Sequence, residues 1–123
     1  MRDFKKIKAY QLADNLVLAI YEATKAFPKE ELYGLTSQIR RAAVSTAANI
    51  VEGASRQHRK DYLHFLYIAR GSAAEVDYLL SVAYRLGYLE AKVYGKLDIS
   101  SKEVARTLFG LIQAIGKELG LKL

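Results

Sequence analysis

The sequence predicts an all-α protein folded as an up-and-down antiparallel four-helix bundle. One Pro and eight Gly in 123 residues leave long stretches without a breaker. Within those stretches apolar side chains recur with the 3.6-residue period of a helix, in four segments. Short connections join the segments, which makes antiparallel neighbours the default packing. The length suits one domain spanning 1–123, with a core that buries roughly two-thirds of the surface the unfolded chain exposes.

The first helix is expected over residues 7–26. Leu12, Ala13, Leu16, Val17, Ile20, Ala23, Thr24 and Phe27 share one side, Gln11, Asp14, Asn15, Glu22 and Lys25 the other, and Pro28 stops it. A turn at 28–32 and a loop at 33–35 follow. Thr36 or Ser37 then offers an N-cap oxygen for a second helix over 37–55. The third is expected over 59–86, with Asp61 at the positive end of its dipole and Gly87 as a left-handed cap. The fourth is firm from Ser100 or Ser101, where Val104, Leu108, Leu111, Ile112, Ile115 and Leu119 line one face. Residues 90–99 contain Gly95 and are expected to be irregular. Gly116 and Gly120 read as a fraying helix end, not as a membrane-dimer motif.

The second and third helices carry more apolar surface than one bundle covers. On the second, Ile39, Ala43, Ala47, Ile50 and Ala54 form one arc and Val44, Ala48 and Val51 the next. That exceeds the stripe a little over 100° wide that a surface helix of a monomer shows. On the third, Phe65, Leu66, Ala69, Ala73, Val76, Leu80 and Ala83 face the bundle, Ile68, Leu79 and Leu86 widen the stripe, and Tyr67, Tyr78 and Val82 lie further round. Gly71-Ser72-Ala73-Ala74 lets another helix approach closely. Contiguous apolar patches of this size are uncommon on monomers, so a second copy of the chain is expected to cover them. Val44, Ala48, Val51, Ile68, Gly71, Ser72 and Leu79 are the candidate contacts; the alternative is a tight crossing inside one chain.

Gln38, Arg41, Ser45, Asn49 and Glu52 fall in one narrow polar wedge of the second helix. One reading is a groove for a ligand or RNA phosphate edged by Arg41 and Arg56. The other, which helix packing favours, is a structural polar ladder in which Arg41 pairs with Glu52 or Glu75 and fixes helix register.

Lys and Arg number 19 against 13 Asp and Glu, a formal charge of +6. The cations concentrate in Arg2, Lys5, Lys6 and Lys8 and in Arg56, Arg59 and Lys60, with Arg40 adding to the second helix. An antiparallel bundle places the amino terminus and the second-to-third helix junction at one end. That end is a candidate surface for nucleic-acid phosphates, whose binding would weaken steeply with salt. Six of the nine Tyr (Tyr62, Tyr67, Tyr78, Tyr84, Tyr88 and Tyr94) crowd the third helix and its exit, where buried rings with wet hydroxyls suit core or subunit contacts.

Signals for chemistry are sparse. The chain has no Cys, so disulfides, thiol catalysis and Cys-based zinc sites are excluded. His58 and His64 are six apart, not the i, i+4 spacing that brings two helical imidazoles onto one metal. No phosphate loop, nucleophile elbow or dinucleotide fingerprint occurs. No catalytic, cofactor or metal residues are assigned. Apolar runs fall well short of the roughly 18 residues of a membrane span, and the basic start lacks the apolar block of a signal peptide, so a cytoplasmic protein is expected.

Several blocks resemble a known family: Phe27-Pro28, the run Tyr33-Gly34-Leu35-Thr36-Ser37-Gln38-Ile39-Arg40-Arg41-Ala42-Ala43-Val44-Ser45, then Ala48-Asn49-Ile50-Val51-Glu52-Gly53, and Ala69-Arg70-Gly71-Ser72 with Glu75. They look like the ribosomal RNA intervening-sequence proteins, often encoded inside insertions in bacterial large-subunit ribosomal RNA genes. The accessory variability proteins of diversity-generating retroelements are similar to these. The resemblance covers nearly the whole chain, is most specific over 38–53 and fades over 90–99. It implies a four-helix protomer in a barrel-like homopentamer with no catalytic residues. In the retroelement relatives the basic barrel engages a reverse transcriptase and nucleic acid.

The expected function is therefore non-enzymatic: an oligomer that binds RNA or DNA through a basic surface, or that scaffolds a reverse transcriptase or other nucleic-acid enzyme. The rival from another class is a structural oligomer whose partner is a protein. A small-molecule binder using the stripe from Arg41 to Glu52 is the third alternative.

Overall fold

Residues 2–123 are described by a computed structural model. Among them lie four α-helices and no strand: α1 (Lys8–Thr24), α2 (Leu35–Ala54), α3 (Arg59–Arg85) and α4 (Ala91–Glu118). Single 3-10 turns precede α1 (Phe4–Lys6) and α2 (Lys29–Glu31). Each helix packs on the two beside it in chain order, α1 also closing on α4, and the diagonal pairs stay apart. With connections only at 25–34, 55–58 and 86–90, this is the antiparallel square bundle that the pattern predicts.

The core follows the 3.6 period. Ile20, Ile39, Ile50, Leu66, Val76, Leu80, Val104, Leu108 and Ile112 are fully buried, and all belong to the arcs read from the sequence. The α2–α3 pairing is the most extensive, and Gly53 explains how the two backbones come so close. A Cβ at Gly53 would lie 2.9 Å from Phe65 Cβ and 3.2 Å from the Tyr62 carbonyl oxygen. A side chain there has nowhere to go.

Helix ends depart from expectation in three places. Helix α2 begins at Leu35, so Thr36 and Ser37 lie inside it and cap nothing. The acceptor is Glu31, whose Oε1 takes the Leu35 N–H at 3.2 Å while Oε2 takes the Tyr88 hydroxyl at 2.9 Å. One carboxylate thus clips the α2 start to the α3–α4 connection, where Tyr88 packs on Phe27. Second, α4 is regular from Ala91, so the irregular stretch expected over 90–99 is absent. Leu97 anchors this half to the core, and Tyr94 stacks on Tyr84 at 4.4 Å. Third, the end of α4 is closed, not frayed. Gly120 is left-handed (φ 75°), its N–H donates to Lys117 O, and Leu121 N–H donates to Gly116 O. Gly116 leaves room for Leu123, which folds back over it. Gly87 (φ 81°) closes α3 with the same pair of bonds, as expected.

Leu79 is only 7% exposed and belongs to the protomer's own core, not to a lateral apolar surface. It lies seven residues beyond Ser72, on the flank of α3 that faces α2. Val51 and Val82 are half-buried, and the rest of the surplus stands outward. Val44 is 41% exposed, Ile68 40% and Tyr78 62%. Tyr67, Gly71, Ala74 and Tyr78, spaced four, three and four apart, form one exposed ridge along α3.

Candidate nucleic-acid interface

The bundle brings the two basic clusters together at one end, where α1 and α3 begin and α2 and α4 finish. The segment before α1 folds across this end. Asp3 Oδ1 accepts the Lys5 N–H at 3.1 Å and Gln11 Nε2 donates to Lys5 O at 2.8 Å. Arg2 Nη1 donates to Arg56 O at 2.8 Å, so the amino-terminal segment is tied directly to the α2–α3 junction, 54 residues away in sequence.

Between them opens a cleft of about 850 Å³ lined by Arg2, residues 55–60, Glu118 and Leu119. The guanidinium of Arg2 lies 4.2 Å over the Tyr62 ring, and that of Arg56 lies 4.7 Å over Phe65. Arg56 also pairs with Glu52 at 2.5 Å and Arg59 with Glu118 at 2.5 Å. Both pairs are exposed and worth at most about 1 kcal/mol. Lys5, Lys6, Lys8 and Lys60 make no ion pair among the described residues. Tyr62 forms part of the wall of the end: burial, the larger influence, pushes its phenol above the ordinary value, and Arg2 pulls it partly back.

Arg40 is not part of this end. It lies 14 positions before Ala54, the last residue of α2, about 21 Å along the axis at 1.5 Å per residue. Its Nε donates to Thr24 Oγ1 at 2.8 Å and its guanidinium sits 4.7 Å from the Tyr21 ring centroid, a brace between α1 and α2. In contrast, Glu118 is a constituent of the cleft that the count of basic clusters does not include. The signal for Glu118 is its place in the last turn of α4, where the helix dipole disfavours a carboxylate unless a cation compensates it.

The polar wedge of α2 divides into a half-buried centre and an exposed rim. Ser45 Oγ and Ser72 Oγ share a hydrogen bond at 2.8 Å, and Asn49 Nδ2 donates to Ser45 O at 2.8 Å and to Ser45 Oγ at 3.1 Å. Gln38, Arg41, Glu52 and Glu75 are exposed on the protomer. The pairing of Arg41 with Glu52 or Glu75 is not made. Arg41 and Glu52 are 11 residues apart, about 16 Å along one helix, and Glu52 is taken by Arg56. Glu75 follows Ile68 by seven residues and shares its outward direction. The ladder inside one protomer is therefore only Ser45, Asn49 and Ser72.

The candidate subunit contacts divide similarly. Val44, Ala48, Ile68 and Gly71 are exposed, and a Cβ at Gly71 would meet nothing within 4 Å. Val51 and Ser72 are half-buried and Leu79 is in the core. A second, smaller groove of about 450 Å³ runs between α3 and α4 past Arg70, Lys102, Arg106 and Phe109. Lys102 is occupied there, bridging Asp77 at 3.1 Å and Asp98 at 2.5 Å. No group of three or more His, Asp or Glu that could hold a metal ion occurs among the described residues, and no helix is long and apolar enough to cross a membrane.

No curated protein matches the chain. A crystal structure of a protein of unknown function from the S23 ribosomal protein family of Bacteroides thetaiotaomicron is similar to it, with a TM-score of 0.78 and 26% identity. That likeness covers 85% of this chain and 97% of the other. The model of the family described as 23S rRNA-intervening sequence protein matches residues 5–110, a span that takes in α1, α2, α3 and most of α4. Both comparisons agree with the resemblance carried by the block over 38–53, and the chain belongs to the 23S rRNA-intervening sequence protein family.

Proposed function

We propose that this protein is a non-enzymatic, cytoplasmic homo-oligomer, a pentamer, that presents its basic ends to RNA or DNA, on its own or as a scaffold for a nucleic-acid enzyme such as a reverse transcriptase. The observation that carries the reading is the convergence of Arg2, Lys5, Lys6, Lys8, Arg56, Arg59 and Lys60 at one end of the bundle. In a closed ring every protomer turns the same end the same way, so the positive fields add. Self-association is supported by the exposed ridge of α3 and by Val44 and Ala48 on α2.

Filter binding over rising salt tests the nucleic-acid half. Retention is expected at low salt, falling steeply as salt increases, with little dependence on sequence. Absence of retention at low salt would leave the rival, an oligomer whose partner is a protein. That rival draws on one observation, namely that Arg56 and Arg59 are already matched by Glu52 and Glu118.

A further inference from the structure

We propose that the end cleft takes single-stranded nucleic acid, with bases stacking on the guanidinium planes of Arg2 and Arg56 and phosphates meeting Lys60 and the lysines of the amino-terminal segment. The proposal rests on the nucleic-acid reading above and adds the strand state and the mode of contact.

Three features of the cleft argue for it. The first is size: the open cleft of about 850 Å³ lies in the range of small-molecule pockets, roughly 300–1,000 Å³, room enough for a nucleotide or two. The second is how the two arginines are held. Tyr62 covers one face of the Arg2 guanidinium and Phe65 one face of Arg56, which leaves each plane a single face to offer a ligand. The third is that each guanidinium is tethered through one nitrogen. Arg2 Nη1 is spent on Arg56 O, and Arg56 Nη2 on Glu52 Oε1. Each tether holds the guanidinium in place while leaving its other N–H donors free, so the plane is presented to a base already positioned. Unstacked bases present faces of their own in single strands, and guanidinium planes are among the platforms on which they stack. In a duplex those faces are hidden, and only charge would be read.

Fluorescence anisotropy at low salt decides the matter. The probes are an end-labelled single strand of about ten nucleotides, within the site sizes of single-strand binders, and the blunt duplex of the same sequence. The single strand is expected to bind about fivefold or more tighter than the duplex, the size of one stacking contact. Arg56→Lys keeps the charge and removes the plane. It is expected to weaken single-strand binding about fivefold or more while leaving duplex binding and the salt slope unchanged. Arg2→Lys is a second, independent variant with the same expectation, and an unchanged helical circular dichroism spectrum confirms the fold of both. Equal or tighter binding of the duplex, or single-strand binding unmoved by both variants, overturns the stacking proposal and leaves the basic-end reading standing. Failure of both probes to bind overturns the two together.

Discussion

Gly53 and Gly71 are both helical glycines in opposite surroundings. At Gly53 a methyl group would collide with Phe65 and the backbone of Tyr62, so Gly53→Ala is expected to destabilise the fold by about 1–3 kcal/mol, as overpacking of a tight contact does. At Gly71 the space is open, and Gly71→Ala is expected to stabilise the protomer by about 1 kcal/mol of helix propensity. Urea melts of the two variants, at dilutions where the chain is a single protomer and read against the parent midpoint, check both signs. Tyr88 supplies a pH test. Its hydrogen bond to Glu31, then burial, hold its phenol above the ordinary value of 10.0. A raised value means that the contribution is complete below pH 10 and is lost as pH climbs through the folded value. Tyr88→Phe should therefore lower the melting midpoint at pH 8, and its difference from the parent should shrink above pH 10. Lys102 shifts in the same direction, through Asp98 first and Asp77 second. At this scale the sequence revealed charge type but not partner. Arg2–Arg56 and Arg59–Glu118 join residues 54 and 59 apart, and no local pattern announces such contacts.

Among the elements, the helices most legible in the sequence are those with the densest buried stripes. Helix α2 buries Ile39, Ala43, Ala47, Ile50 and Ala54 at helical spacing, and α3 does so with Leu66, Ala69, Ala73, Val76, Leu80 and Ala83. The first third of α4 was hidden because Leu97 alone among residues 91–99 is fully buried, while Val93 and Ile99 face outward and Gly95 dilutes the pattern. The start of α2 was displaced because its acceptor, Glu31, lies outside the helix in the preceding turn, whereas hydroxyl-capping rules look at Thr36 and Ser37. Glycine marks the ends of both α3 and α4, and Gly120 closes its helix as Gly87 does. Gly120→Ala places a Cβ in the left-handed region, at a cost of roughly 1–2 kcal/mol. A urea melt should show that loss, and amide exchange should quicken at Leu119 and Leu121, whose N–H groups close the last turn of α4.

For the whole molecule the question is what covers the outward apolar surface. The core of one protomer is complete without Val44, Ala48, Ile68, Tyr67, Gly71, Ala74 and Tyr78, yet these stand on adjoining helices at helical spacing. Tyr67 and Tyr78 stand on either side of the small residues Gly71 and Ala74, which leaves a notch in the exposed ridge of α3. Close helix approach at Gly71 would also explain a residue that costs α3 stability and contacts nothing in its own chain. Stable interfaces bury about 1,200–2,000 Å² in total, the scale that contact with a second copy has to reach. This surplus was readable from sequence because it depends only on periodicity and side-chain type, whereas the number of copies depends on crossing angles that no pattern encodes. Light scattering of the purified parent and of Gly71→Leu, which fills the notch, is the most direct measurement. The account expects about 69 kDa, five times the 13.8 kDa chain, falling toward the single-chain mass in the variant with its helical spectrum intact. A parent mass of 13.8 kDa at working concentration would contradict it.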